Sequence, residues 1–189
     1  MIIPISKWST LMVAASLVLV GFGNSSSADR QGEVRSAGAA VMPFDLDETK
    51  HTFTKTEDGG VQTVFALDPS DQEQIARIRS HFRELQMEFS SGDFSRPSAI
   101  HGKSMPGLAG LVDNASSLRI TYEEIPAGAS LTYQTDSGQV VGFLHEWFDA
   151  QVSDHGTDVV EEPMGHVMTE EMWKLHHPGE PYPGPDGHK

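Results

Sequence analysis

The chain has no cysteine among its 189 residues. That absence excludes disulfides, thiolate nucleophiles, zinc–cysteine sites, iron–sulfur clusters and cysteine-linked lipid anchors. Basic residues are scarce: 13 Lys and Arg stand against 27 Asp and Glu, for a net charge of −14. Nucleic acid is therefore not an expected partner, because phosphate contacts need a basic face. No apolar run reaches the roughly 20 residues of a membrane-spanning helix. Catalytic signatures are missing too. There is no G-x-S-x-G, H-E-x-x-H or S-x-x-K,. His145-Glu146 has Asp149 where a zinc-protease helix needs its second histidine. Gly59-Gly60 lacks the helix start and the lysine of a phosphate loop and reads as turn chemistry,.

What is present begins with an address. Lys7 followed by the apolar stretch from Leu11 to Phe22 reads as a secretory signal peptide over residues 1–28,. Ser26 and Ala28 supply small residues before a cut at Asp29. Cleavage there removes Lys7 and no acid, taking the net charge from −14 to −15. The expected product is an exported, periplasmic bacterial protein with no stable membrane anchor.

Residues 29–41 are rich in Gly, Ala and Ser and are expected to be an unstructured lead-in,. His51 to Glu57 and Val61 to Leu67 alternate with period two around Asp58-Gly59-Gly60, a hairpin signal,. Ile75, Ile78, Phe82, Leu85 and Phe89 follow helical spacing,. Pro69, Ser70 and Glu73 suggest that helix's start,. A second hairpin is expected over Leu118 to Tyr133, turning at Pro126-Ala127-Gly128. A last helix, capped by Asp136 or Ser137, should run to about Asp154,. The ββα-ββα order predicts an α+β two-layer sandwich: a four-stranded antiparallel sheet with two main helices, spanning residues 42–156,. Residues 157–189 read as an acidic extension rich in Met, His and Pro,.

Two groups of residues could carry chemistry. The first is His51, His101, Met105 and His155 in the folded part. His51 shares a strand face with Phe53, and His155 falls on the apolar face of the last helix,. His101 and Met105 share a proline-bounded loop. His145 lies about 80° around and some 15 Å along the helix from His155, so those two cannot hold one ion. Imidazole and thioether without thiolate suit copper better than magnesium or zinc. The second group is Met164, His166, Met168, Met172, His176 and His177 in the tail. Those 33 residues hold four of nine histidines and three of eight methionines. Seven acids against two lysines there would concentrate cations,. Each group has a plainer reading: core-filling residues in the first, a docking helix around Met168, Met172 and Trp173 in the second.

Met42-Pro43-Phe44-Asp45-Leu46, Gly59-Gly60-Val61-Gln62, His101 through Leu108 and Trp147-Phe148-Asp149-Ala150-Gln151 through Gly156 carry a resemblance. They resemble a family of small exported bacterial proteins, some of which bear the label aspartate carbamoyltransferase. The resemblance spans most of residues 42–156 and implies no particular catalytic residues. The expected function is an exported metal-binding protein that holds or passes copper. The competing expectations are a metal-free interaction module that meets a periplasmic protein through the tail, and a periplasmic enzyme.

Overall fold

The computed structural model describes residues 26–160, together with Lys174, Gly179 and Pro181. Its elements run α1 (Ser27–Val41), β1 (Thr49–Thr56), β2 (Gly59–Ala66), α2 (Gln72–Ser90), α3 (Ser95–His101), α4 (Leu108–Asp113), β3 (Arg119–Ile125), β4 (Gly128–Gln134) and α5 (Gly138–His155). The four strands form one antiparallel sheet in the order β1-β2-β4-β3. The two hairpins thus meet through β2 and β4, with Gly60 opposite Tyr133. The fold is α+β, as the alternation of strand and helix periods predicts.

The core lies between the sheet and α2 with α5. Ile75, Ile78, Phe82, Leu85 and Phe89 of α2 are all buried. They meet Val64, Leu131 and Tyr133 from the sheet and Leu144, Trp147 and Phe148 from α5. Two glycines let α5 come close. A Cβ on Gly60 would stand 2.6 Å from the Phe148 ring. Gly107 has φ +73°, and a Cβ there would meet the Phe143 carbonyl oxygen at 2.0 Å. The loop that carries Met105 is therefore pressed against α5.

Three local expectations need correction. Residues 29–41, expected to be unstructured, belong to α1. Ser26 and Asp29 cap that helix reciprocally, and only Val34 and Gly38 of it are buried. Charge holds it instead. The Arg30 guanidinium grips both Asp154 oxygens, at 3.0 and 2.6 Å, and Arg35 pairs with Asp158 and Asp47. The cut expected before Asp29 would fall in the first turn of α1. Second, α2 is capped by Asp71, whose side chain accepts from Glu73 and Gln74, rather than by Ser70. Ser70 instead donates to Asp68, in the turn before the helix. Third, the domain runs past residue 156. Asp158 is buried, Val159 bridges His51, and the Val160 N–H donates to the His51 carbonyl at 2.9 Å. The apolar stretch Leu11 to Phe22 lies outside the described residues. Among the described residues no helix is long and apolar enough to cross a membrane.

Candidate functional site

Three histidines from separate elements come together at one end of the core. His51 comes from the core face of β1. His101 is the last residue of α3, and His155 the last of α5. The His155 ring stacks on His51 with ring centres 4.9 Å apart and meets His101 edge-on at 5.0 Å. The fourth member of the predicted group, Met105, is buried but stands on another side of His101. Their convergence follows from the packing. β1 turns His51 to the core, α5 ends with His155 against it, and α3 ends with His101 against His155.

Each flanking imidazole has one nitrogen tied down. His101 Nδ1 lies 2.8 Å from Asp154 Oδ2. Arg30 neutralises that carboxylate and also donates to the His101 carbonyl at 2.7 Å. The His51 ring is hydrogen-bonded by the backbone of Asp158, while its Nδ1 has no partner. Histidines whose second nitrogen is held by an oxygen acceptor are oriented as metal-ligating histidines are.

Burial keeps these rings neutral near pH 7. It pushes the His51 pKa well below its ordinary value, and the neighbouring His155 pushes the same way. His155 falls to about 4, through burial and then the nearby His101. Burial lowers His101 as well, against the opposing pull of Asp154. Burial alone would raise Asp154, but Arg30 and His101 outweigh it and hold the carboxyl below its usual range. The Asp154–His101 contact is thus a hydrogen bond from a neutral ring, and Arg30 is the counter-charge. A neutral imidazole has a free lone pair, which ligation requires.

A surface pocket of about 120 Å³ borders His155 beside Arg35 and Asp158, and two further spaces meet at His101. One is a small, partly enclosed cavity of about 40 Å³, lined by all three histidines together with His81, Trp147 and Gln151. His51 Nδ1, Trp147 Nε1 and Gln151 Oε1 are buried with no hydrogen-bond partner, and all three residues line it. Buried polar atoms are usually paired, so three orphans around one cavity mark a place built for something polar. The other is an open pocket of about 580 Å³, lined by Arg30, His101, Ser104, Met105, Glu146 and Asp154 among others. Among the described residues, His101 is common to both linings. Among the described residues, no group of three or more His, Cys, Asp or Glu is placed where it could hold a metal ion.

The other histidines have different partners. His145 Nε2 lies 2.8 Å from the Gly59 carbonyl and 3.1 Å from that of Thr56, pinning α5 to the first hairpin turn. His81 Nδ1 accepts from Arg96 at 3.2 Å, and burial followed by the Arg96 charge lowers its pKa to about 4. Met164, His166, Met168, Met172, His176 and His177 lie outside the described residues. Spacing alone missed Arg30, Trp147 and Gln151. Gln151 left a signal, a polar residue inside the apolar stripe of α5. Asp154 pairs with His101 rather than with its chain neighbour His155, because adjacent helical residues do not face one another,. No protein-family model matches the chain, and no curated protein or solved structure shows significant similarity to it.

Proposed function

We propose that this is an exported metal-binding protein whose ion is held by His51, His101 and His155, with copper as the first candidate. The observation that carries the reading is the meeting of three neutral imidazoles, His51 and His101 buried and His155 half-buried, around a cavity with unpartnered polar atoms. Two imidazoles sharing one ion at about 2.0–2.1 Å place their ring centres about 5 Å apart. The observed 4.9 and 5.0 Å match that spacing for two of the three pairs, with His155 at the centre, and the stacked His51 and His155 rings must turn to aim their nitrogens at a common ion. Asp154 and the Asp158 backbone serve as the outer partners that orient the ligands,. Imidazole suits copper and zinc alike, and the softer thioethers of the tail tilt the choice to copper,. The tail's Met and His residues would collect the same ion.

Titration of the full chain with Cu(I), Cu(II) and Zn²⁺ tests this. One ion should bind more tightly than micromolar. This tight binding should be lost when His51, His101 and His155 are together changed to Gln, leaving only the weaker binding of the tail, and should persist in His145→Gln. Undiminished binding by the triple variant would move the site to the tail and refute the cluster.

One observation favours a second reading. The Asp154–His101 pair borders an open pocket that also holds Ser104. A neutral histidine oriented by a carboxylate is the arrangement of a general base. On that reading the chain would hydrolyse activated esters without added metal, and His101→Gln would abolish the activity.

A further inference from the structure

We infer that the open pocket is the entry port for the metal ion, and that His101 passes the ion from this pocket to the small cavity. The inference rests on the metal-binding reading above.

The ground is the position of His101. It lines both spaces, and its side chain is only 2% exposed, so it forms part of the wall between them. Asp154 occupies its Nδ1, which leaves Nε2 as the nitrogen free to ligate. The ring next to it, at 5.0 Å, is His155, and beyond that at 4.9 Å is His51. The three imidazoles form a continuous series from the open pocket to the orphaned His51 Nδ1.

The pocket itself suits a cation. Glu146, Asp149 and Ser153 line it from one face of α5, opposite Ser104, Met105 and Pro106. Asp149 is paired with Lys55 and Asp154 with Arg30. Among the described residues Glu146 makes no ion pair, so it gives the mouth its uncompensated negative charge. A cleft of one sign of charge concentrates oppositely charged ligands and raises their association rate. Met105 adds a soft donor beside His101. The transfer is ligand exchange alone. The ion gives up pocket waters and its bond to the Met105 sulfur, gains the His101 nitrogen and then those of His155 and His51, and no proton or electron moves.

Stopped-flow mixing of the full chain with aqueous Cu(II), and separately Zn²⁺, tests the port. The double variant Glu146→Gln, Met105→Leu keeps the side-chain volumes, and circular dichroism verifies its fold. Glu123→Gln, on the exposed outer face of β3, controls for net charge. The port requires the double variant to associate about tenfold more slowly, with dissociation slowed equally and Kd changed less than twofold. Glu123→Gln should stay within twofold in rate. Association as fast as in the parent would overturn the port and leave the histidine cluster standing. A weakened Kd with an unchanged association rate would also overturn it, by making Glu146 and Met105 part of the final site. A parent chain that binds neither ion would overturn the metal reading and the port with it.

Discussion

Midway along α5, His145 sends one ring nitrogen to the carbonyls of Thr56 and Gly59 and secures a hairpin. At the end of the same helix, His155 lies between two further imidazoles, and Gln151 and Trp147 on the way to it carry unpartnered polar atoms. His145 spends its polar group on the fold. The histidine cluster leaves polar groups unspent around a cavity. A protein gains nothing in stability from orphaned buried polar atoms, so their concentration at one end points to a ligand.

Acid should expose this asymmetry most strongly. His81 and His155, with pKa values near 4, are protonated first in the unfolded chain as the pH falls. Their stabilising contribution is complete above about pH 6.5 and is lost progressively toward pH 4. Each costs up to about 1.4 kcal/mol per pH unit across that window. Urea unfolding midpoints measured from pH 7 to 4.5 should fall steeply, and His81→Gln with His155→Gln should flatten the slope.

Next in size is Asp154→Asn. It removes the carboxylate that Arg30 and His101 share, at a cost of about 2 kcal/mol, the range for hydrogen bonds to a charged group in a part-buried pair,. Because α1 is held mainly by charge, its amide protons should exchange faster while those of the sheet keep their protection. Equal loss of protection in both would show that α1 does not depend on Asp154.

His145→Ala should cost about 1–2 kcal/mol by leaving two carbonyls without a donor, and it should not change metal affinity,. The smallest effect has the opposite sign. Gln151→Met removes an unpartnered buried oxygen and should stabilise the chain by about 1 kcal/mol in thermal unfolding,. At the end proposed to bind the ion, stability and affinity would then trade against each other. A Gln151→Met chain that is less stable would mean that the amide is already satisfied.

The parts of this architecture that repeat were legible before any coordinates. Period-two alternation located both hairpins, and Ile75 through Phe89 traced α2 by their spacing. The helix α1 was not legible. Its composition is poor in apolar residues, and its ties are to Asp154 and Asp158, more than 120 positions away along the chain. Long-range charge pairing leaves no periodic trace. The site was half legible. The apolar neighbours of His51 and His155 marked both as inward-facing, whereas His101 had only a proline-bounded loop to recommend it. The role of Asp154 depends on where α3 ends relative to α5, which no local spacing encodes. Met105, grouped with the histidines by sequence proximity to His101, lines the open pocket instead of the cavity.

The central claim is that the unspent histidines hold the ion. The most direct measurement follows the imidazole nitrogens of the full chain by long-range ¹H–¹⁵N correlation during titration with Zn²⁺. The account predicts that one equivalent shifts the ring nitrogens of His51, His101 and His155 together and leaves those of His145 in place. Shifts confined to the tail histidines, or none at one equivalent, would contradict it.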